Sequence, residues 1–248
     1  MRIIFVQCFP GGRADGVERD MQQIDKEEKV GKLGEVHELF SEEMLEEMRE
    51  RTREFTKLMT YYKCAMMEVE TKFNVLSEEF SLQHDRNPIS SVKCRLKSPI
   101  GIKRKLEKYG CPYTLEAIRN TVHDVAGVRV CCSFIDDVYM LAEAFLGQDD
   151  VTLITKKDYI ENPKDNGYRS LHLIVGIPIF LASEKHVMHV EIQLRTIAMD
   201  FWASLEHQLR YKKDRDFTPE MAEELYHCAE MSADLDRRMD NLREQLGD

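Results

Sequence analysis

The sequence predicts a mixed α/β domain in which a central sheet is flanked by helices, with a long helix near each end of the chain. Three observations support this fold class. Residues 35–84 contain neither glycine nor proline and carry apolar residues at steps of three and four. Residues 128–194 alternate between short apolar runs typical of strands and stretches with helical spacing. Residues 221–246 carry a heptad pattern, so helices are expected to cover a sheet.

The acidic composition excludes some classes of protein. The chain has 248 residues, a formal net charge of −10 and 43% hydrophobic residues, which suits one large folded domain. Because a surface that coats nucleic acid needs an excess of lysine and arginine, we expect no DNA partner. The exception is the segment 93–129, which has nine Lys and Arg and three acidic residues. This segment can form a local phosphate site within an acidic chain.

The cysteine and hydropathy patterns predict a cytoplasmic protein. The seven cysteines are an odd number and include no Cys-x-x-Cys pair. This pattern is typical of reduced thiols and not of a zinc site. No apolar stretch approaches the roughly 20 residues of a membrane span, and the run Ile3–Val6 is too short for a signal-peptide core. We therefore expect no membrane partner.

The first part of the chain is predicted to contain a lead-in and a helical block. Residues 1–34 are polar, contain several glycines and have no clear period, so we predict a poorly ordered lead-in. Residues 35–248 are predicted to form a single domain that begins with a helical block at 35–87. The apolar stripe of this block comprises Phe55, Leu58, Tyr62, Ala65, Val69, Phe73, Leu76 and Phe80.

The middle of the chain is predicted to alternate between helix and strand. Ser98 and Pro99 have the chemistry of a helix start, and this helix is expected to end near Tyr109. Strands are predicted at 128–134, 151–155, 170–180 and 189–194, and a helix at 137–146. In the last of these strands apolar and polar residues alternate strictly, which puts Glu191 and Gln193 on one polar face.

Residues 196–248 are predicted to form two helices. In the first, at residues 196–212, the apolar residues one turn apart are Ile197, Phe201, Leu205 and Leu209. The second is predicted to begin at Thr218 and Pro219. Its heptad seam comprises Met221, Leu225, Cys228, Leu235, Met239, Leu242 and Leu246. Packing of this seam against its own chain is favoured over a coiled coil with another subunit.

Two acidic groupings are candidates for a chemical site. Asp124 precedes a predicted strand and Arg129 lies within it. An acid at a strand end can hold Mg²⁺, and an arginine can stack on a base or bind phosphate. Glu191, with Gln193 and Arg195, can line a polar cleft and act as a metal ligand or general base. The alternatives are a surface Asp–Arg pair and an ordinary half-exposed sheet.

Two basic groupings complete the candidate site. The loop at residues 156–172 combines turn residues with Lys157 and Lys164 for phosphates and with Tyr168 as a ring for a purine. The cations around the short helix at residues 99–109 are Lys93, Arg95, Lys97, Lys103, Arg104, Lys105 and Lys108. The alternatives are a solvated hairpin connection and a solvated helix face.

Adjacent His-Asp pairs suggest a further alternative. His84-Asp85 and His123-Asp124 are each the type of pair found in some metal phosphohydrolases. Such sites also need a separated His and Asp on helices that face the same metal. We therefore favour the phosphate-binding interpretation over a metal hydrolase.

Four segments of the sequence are highly specific when they are taken together. They are Asp124–Arg129, Lys157–Ile160, Asn166–His172 and Glu191–Thr196. They resemble the (p)ppGpp synthetase domain of the RelA/SpoT family. The segment Ala198–His207 and the flanking helices narrow the resemblance to its small, single-domain alarmone synthetases of the RelQ type. The resemblance extends approximately over residues 50–245.

The resemblance implies a fold and a reaction. The fold is similar to that of the nucleotidyltransferases. The reaction transfers the β,γ-pyrophosphate of ATP to the 3′-OH of GDP or GTP, which gives ppGpp or pppGpp and AMP in the stringent response. Longer members also carry a hydrolase domain, for which this chain has no room, so a synthetase without its own hydrolase is expected. Members of the RelQ type form tetramers, which implies a homotetramer.

The resemblance also implies residue roles. Asp124 and Glu191 are expected to be catalytic and to hold Mg²⁺. The implied ATP-binding residues are Arg95 and Arg129 on either side of adenine, and Lys97, Lys105 and Lys108 at the phosphates. The implied GDP- or GTP-binding residues are Lys157, Lys164, Asn166, Tyr168, His172, Gln193 and Arg195, with Tyr168 stacked on guanine.

A function of a different class is also compatible with the sequence. The basic segment and Tyr168 would serve a regulator that binds nucleotides or single-stranded RNA with little turnover. Intact Asp124 and Glu191 favour the enzyme over this alternative.

Overall fold

The five strands of the described chain form one mixed sheet. The structure is a computed structural model that describes residues 41–83, 86–210 and 217–246. Its strands are β1 (Ile89–Leu96), β2 (Ala126–Cys132), β3 (Thr152–Asp158), β4 (Leu171–Phe180) and β5 (Lys185–Thr196). They lie in the order β1-β2-β5-β4-β3. Strands β2 and β5 run parallel and the other neighbours antiparallel. The predicted mixed α/β class is therefore confirmed.

Six helices accompany this sheet within the described ranges. They are α1 (Glu42–Gln83), α2 (Pro99–Lys108), α3 (Leu115–Thr121), α4 (Ile135–Leu146), α5 (Ile197–Arg210) and α6 (Pro219–Leu246). None of these helices is long and apolar enough to cross a membrane. The predicted lead-in at 1–34 and the predicted domain start at residue 35 lie outside the described residues.

The chain divides into two compact units after Phe55. In the first unit, the described residues 41–55 form the beginning of α1. Ser41 Oγ accepts a hydrogen bond of 3.2 Å from Met44 N, which caps the helix. Exposed pairs such as Arg51–Glu47, 2.6 Å apart, follow the helical spacing and each contribute about 0.2–0.5 kcal/mol.

In the second unit, the apolar stripe of α1 is buried, as the sequence predicted. The residues of the stripe from Leu58 to Leu76 are buried, and Phe80 is half-buried. Phe73 stacks on Phe145 of α4 with ring centroids 4.6 Å apart. This side of α1 therefore belongs to the hydrophobic core.

Strands β4 and β5 form the centre of the core. Val190, Ile192 and Leu194 of β5 are fully buried, while Glu191 and Gln193 alternate with them on the other face. Strand β4 carries a matching row of buried residues that includes Leu173 and Val175. The predicted alternation in β5 is confirmed, and it leaves one face of the sheet polar.

Helix α2 is confirmed, whereas β1 and α3 were not predicted. Ser98 Oγ accepts a hydrogen bond of 3.1 Å from Gly101 N, and Pro99 is the first helical residue. Gly110, with φ of +64°, follows the helix end. Strand β1 carries charges on one face and pairs only with β2 among the described strands, as is typical of an edge strand.

The prediction for the heptad seam is wrong. The seam was expected to pack against its own chain, but Leu235, Met239 and Leu242 are 53%, 48% and 52% exposed. Helix α6 does pack against α5, but it uses a different face of small residues, where Ala229 and Ala233 are buried. Small side chains allow α5 and α6 to approach closely, so α6 packs inside the chain through its face of small residues.

In helix α5, too, the apolar face that the sequence indicated is exposed. Its predicted apolar residues Ile197, Phe201, Leu205 and Leu209 are exposed. The residues of α5 that are buried include Met199 and Trp202. Trp202 Nε1 donates a hydrogen bond of 2.8 Å to Leu225 O of α6, which fixes the two helices together.

Candidate active site

The pairing of the strands brings the polar residues of the sheet into two rows. One row runs across all five strands and comprises Lys93, Arg129, Gln193, His172 and Lys157. The neighbouring row contains Arg95, Gly127 and Glu191 on three adjacent strands. Because residues two apart in a strand share a face, both rows lie on the same polar side of the sheet. Because polar and apolar residues alternate along each strand, polar residues from distant parts of the sequence form one surface of the sheet.

Two cavities lie on this surface and meet at two carboxylates. The larger has a volume of about 600 Å³ and the smaller about 270 Å³. Asp124 and Glu191 line both cavities, and they are the residues that the two linings share. Gly127 lines the larger cavity, and a side chain there would meet only the Arg95 carbonyl oxygen at 3.6 Å. Its missing side chain keeps the floor of this cleft open.

Asp124 is held by two lysines. It lies just before β2, with Oδ2 2.8 Å from Lys97 Nζ and Oδ1 2.8 Å from Lys105 Nζ. Burial raises the pKa of Asp124, but the charges of Lys105 and Lys97 outweigh burial and lower the pKa below its ordinary value. Asp124 is therefore a carboxylate at neutral pH, and it holds two cations at the meeting point of the cavities.

Glu191 is positioned by its neighbours on the polar face. Gln193 Nε2 donates a hydrogen bond of 2.8 Å to Glu191 Oε2, and His172 Nδ1 lies 3.7 Å from Glu191 Oε1. Burial raises the pKa of Glu191, while His172 and Gln193 lower it, and the net shift is downward. Glu191 therefore also carries a negative charge at neutral pH.

A tight turn orients Tyr168 in the loop between β3 and β4. Gly167 adopts φ of +82°, and its N–H donates a hydrogen bond of 2.8 Å to Lys164 O. Asn166 Oδ1 accepts a hydrogen bond of 3.2 Å from Tyr168 N, which confirms the turn chemistry that the sequence predicted. The residue with φ > 0 is a glycine because a side chain would strain this conformation.

The Tyr168 side chain is fixed from several directions. Arg195 Nη2 donates a hydrogen bond of 2.5 Å to the Tyr168 hydroxyl, which lies 2.8 Å from His172 Nε2. Lys164 Nζ lies 4.6 Å from the centre of the Tyr168 ring and 4.5 Å from that of Tyr159. Burial is the main cause of a lowered pKa at Lys164 and of a raised pKa at Tyr168. The ring is thus held rigidly beside several cations.

The structure brings together most of the predicted site residues. The larger cavity is lined by Arg95, Lys97, Arg129, Tyr168, Gln193 and Arg195. The smaller cavity is lined by Lys105, Lys157, Lys164 and His172. Asn166 lies in neither lining, and its Nδ2 donates a hydrogen bond of 3.3 Å to Glu206 Oε1. Lys108 is exposed on α2 and also lies in neither lining.

Sequence reasoning missed several residues at this site. Asp200 of α5 is buried and contacts both Arg129 and Arg195. His123 pairs with His189, with the two Nδ1 atoms 3.1 Å apart, and Tyr159 lines the smaller cavity. Asp200 could have been noticed as an acid in the first turn of a helix that follows a basic strand end. Of the His-Asp pairs, His84-Asp85 lies outside the described residues.

Comparisons with known proteins agree with this geometry. Residues 94–216 match the family model described as a region found in RelA / SpoT proteins. The chain is 43% identical to the GTP pyrophosphokinase YwaC of Bacillus subtilis over 185 residues, which cover 75% of this chain and 88% of YwaC. It is 34% identical to the GTP pyrophosphokinase YjbM of the same organism over 195 residues, which cover 78% and 90% of the two chains.

Solved structures give the same relationship. The small alarmone synthetase 2 of B. subtilis matches with a TM-score of 0.70 and 40% identity, over 77% of this chain and 98% of that one. The small alarmone synthetase 1 of B. subtilis, bound to its product pppGpp, matches with a TM-score of 0.73 and 31% identity, over 79% and 100%. The chain therefore belongs to the RelA/SpoT family.

Proposed function

We propose that this chain is a GTP pyrophosphokinase that makes the alarmones of the stringent response. It transfers the β,γ-pyrophosphate of ATP to the 3′-OH of GDP or GTP. The observation that carries this proposal is the pair of cavities that meet at Asp124 and Glu191 and are lined by cations. Two nucleotides can occupy such a site with their reacting groups facing the same two carboxylates. The similarity to two GTP pyrophosphokinases supports it.

The reaction makes one bond and breaks another. The 3′-hydroxyl of the acceptor releases its proton to water, and its oxygen forms a bond to the β-phosphorus of ATP. The bond between that phosphorus and the oxygen bridging to the α-phosphate breaks, and AMP leaves with the electron pair. Such a transfer depends mainly on positioning and charge neutralisation. The lysines and arginines of both cavities supply these without forming a covalent intermediate.

The residues at the meeting point fit a magnesium ion. Mg²⁺ is usually bound by one or two carboxylates together with substrate phosphates, and Asp124 and Glu191 provide such a pair. Asp124 Oδ1 is a buried acceptor without a well-angled hydrogen bond. Substrate phosphates would complete the coordination. When bound, Mg²⁺ would neutralise charge on the ATP phosphates.

The donor nucleotide is assigned to the cations around β1 and β2. The Arg95 side chain is exposed and lines the larger cavity, where its guanidinium is available to a base. Arg95 and Arg129 lie diagonally opposite each other on the same face of the β1–β2 pair. We assign adenine to the position between these two side chains. Lys97, Lys105 and Lys108 are assigned to the phosphates. Lys108 has the weakest support because it lies in neither cavity lining.

The acceptor nucleotide is assigned to the residues around Tyr168. The fixed ring of Tyr168 offers a face for guanine, and Lys157, Lys164 and Arg195 supply charge for its phosphates. Tyr168 is positioned by its hydrogen bonds with Asn166 and His172. Glu191 is positioned by the hydrogen bond from Gln193. Glu191 was predicted as a metal ligand or a general base, and its lowered pKa supports the ligand role more strongly than a role as proton acceptor for the 3′-hydroxyl.

A product assay tests the proposal. The protein is incubated with ATP, Mg²⁺ and GDP or GTP, and the nucleotides are separated. Wild type is expected to form AMP and a 3′-pyrophosphorylated guanine nucleotide in equal amounts. Asp124→Ala and Glu191→Ala are expected to lose at least about 10²-fold in kcat, whereas the exposed acid change Asp149→Asn leaves it unchanged. Tyr168→Ala should mainly raise KM for the acceptor. Folded wild-type protein without either product rejects the function.

We also propose that copies of this chain associate as a homotetramer through α5 and α6. Both helices expose several large apolar residues, among them Phe201 and Leu235, and apolar residues grouped on a surface are typical of protein–protein interfaces. Light scattering of the double variant Leu235→Glu/Met239→Glu is expected to show a smaller assembly than wild type. Asn241→Glu adds a charge beside the seam and should keep the wild-type mass. A wild-type monomer would contradict the proposal.

A cytoplasmic location is part of the same proposal. The six cysteines in the described chain are free thiols, which suits a reducing compartment. ATP and guanine nucleotides are also abundant there. Fractionation of cells that produce the protein should recover it with cytoplasmic markers, and recovery with the membrane fraction would contradict this location.

A further inference from the structure

Asp200 connects two arginines from different parts of the site. It lies in the first turn of α5 and is buried. Its Oδ1 is 3.1 Å from Arg129 Nη1 and 3.3 Å from Arg195 Nη1, so both guanidinium groups share one oxygen. Lys93 Nζ lies 3.6 Å from the other oxygen, but its exposed side chain makes this contact weak.

The two arginines need a nearby negative charge. The Arg195 side chain is only 4% exposed, and Arg129 is about one-third exposed. Burial and the neighbouring Arg195 charge both lower the pKa of the Arg129 guanidinium, while Asp200 raises it. A buried cation and a partly buried cation side by side repel each other unless an acid lies between them. Asp200 is the acid in that position.

A continuous series of hydrogen bonds leads from Asp200 to the reacting groups. Arg195 donates to the Tyr168 hydroxyl and, through Nη2, to Gln193 Oε1 at 2.7 Å. Gln193 in turn donates to Glu191. Asp200 itself lines neither cavity. It can therefore affect nucleotides only through the side chains that it contacts, chiefly the two arginines.

We propose that Asp200 is a positioning residue that couples the two nucleotide sites. The proposal rests on the proposed function, in which Arg129 contacts ATP and the group of Arg195 and Tyr168 contacts the acceptor. A nucleotide that draws Arg129 toward its base changes how Asp200 divides its contact between the two arginines. This change then alters the position of Arg195 and the hydroxyl of Tyr168. The binding of each nucleotide should therefore alter the affinity for the other.

Calorimetric titration measures this coupling without turnover. The ligand is α,β-methylene-ATP with Mg²⁺, in which a methylene group replaces the oxygen between the α- and β-phosphates and prevents the transfer. The titration is done with and without saturating GDP. Wild type is expected to show a change in affinity of about 5- to 150-fold between the two titrations. Asp200→Asn keeps the shape but removes the charge, so this ratio should fall to about one. Asp200→Glu keeps the charge and should retain part of the wild-type difference in affinity between the two titrations.

A matched control separates coupling from general damage. Asp236 is a buried acid on α6 that bonds to Thr196 Oγ1 at 2.8 Å and contacts neither arginine. Asp236→Asn should therefore keep the wild-type ratio. A folded Asp200→Asn protein with the wild-type ratio would overturn the proposal, and so would equal ratios in Asp200→Asn and Asp200→Glu.

Three further outcomes bear on the proposal. If Asp200→Asn does not fold, the double variant Asp200→Asn/Arg195→Gln removes one charge of each sign and should fold without coupling; wild-type coupling in it overturns the proposal. Wild type without coupling also overturns it. Wild type that couples the nucleotides but forms no product rejects the proposed function and leaves the coupling role of Asp200 supported.

Discussion

Helices α1 and α6 carry similar apolar patterns but use them in opposite ways. In α1, residues at steps of three and four such as Leu58, Tyr62 and Phe73 are almost completely buried. In α6, residues with equivalent spacing such as Leu235 and Leu242 are about half exposed. Periodicity therefore identifies an apolar face of a helix, but it does not identify the surface that covers that face.

The difference arises from what each helix packs against. The stripe of α1 meets large core side chains, such as Phe145 of α4. The inner face of α6 meets the loop that carries Tyr168, where a Cβ at Gly167 would lie 2.5 Å from Ala229 Cβ. Tyr168 also packs against the cluster of Trp202, Ala203 and Ala229. Only small residues fit this close approach, so the large residues of α6 point outward.

The largest expected effect comes from the buried stripe. Phe73→Ala removes a fully buried ring and its stacking on Phe145, so the free energy of unfolding should fall by about 3–5 kcal/mol. Denaturant titration followed by circular dichroism measures this change. A decrease below about 1 kcal/mol would mean that the α1 stripe is not part of the core.

The second effect comes from the small face of α6. Ala229→Leu places a larger side chain where Gly167 approaches, so we expect a loss of about 1–3 kcal/mol in stability. Because the displaced loop carries Tyr168, KM for GDP should rise while KM for ATP stays nearly constant. Ala222→Leu makes the same change near the beginning of α6 and should have the smaller effect. Equal acceptor KM values in the two variants would contradict this role of Ala229.

A third, smaller effect concerns a charge on the inner face of α6. Burial raises the pKa of Asp236, the Thr196 hydrogen bond lowers it, and the charge of Asp240 raises it, with a net upward shift. Because the folded chain favours the protonated form of Asp236, this group stabilises the fold at pH values below its pKa in the unfolded chain. That stabilisation is lost as the pH rises through its pKa in the folded chain. Asp236→Asn should therefore raise Tm by about 1–3 °C at pH 7, and the gain should disappear below about pH 4.

Thermal unfolding across this pH range checks the third prediction. Asn keeps an acceptor for Thr196 Oγ1, so the change tests charge alone. A variant whose Tm at pH 7 is below that of wild type would show that the charged form of Asp236 is favourable in the folded chain.

The smallest expected effect comes from the exposed seam. Leu235→Ala should change the stability of the dissociated chain by no more than about 0.5 kcal/mol, because the side chain is already half in water. Denaturant titration at protein concentrations where light scattering detects only single chains isolates this quantity. A loss comparable to that of Phe73→Ala would show that the seam is buried within one chain.

The sequence predicted strands and helices most accurately where burial follows a simple pattern. The alternation of β5 correctly placed Glu191 on a polar face, and Ser98 and Pro99 correctly marked the beginning of α2. Strand β1 was missed because its charged residues suggested a solvated segment, although Val92, Cys94 and Leu96 alternate with Lys93 and Arg95. An edge strand buries too little on either face to give a strong signal.

The sequence predicted most residues of the candidate site, but it did not predict which of the two cavities each residue lines. Lys105 was assigned with the ATP residues, yet it lines the smaller cavity beside Lys157 and His172. Tyr168 was assigned to the acceptor, yet it lines the larger cavity with Arg129. The individual roles of these residues remain predictions.

The sequence by itself determined the periods of the elements, the polar face of β5, the turn before Tyr168 and the family to which the chain belongs. These depend on local backbone preferences and on residue types that recur at fixed spacing. Only the tertiary structure decided that Asp124 and Glu191 lie between two cavities, that Asp200 joins two arginines, and that the seam of α6 faces outward. Each of these depends on contacts between residues distant in sequence, because charge and packing act through space and not along the chain.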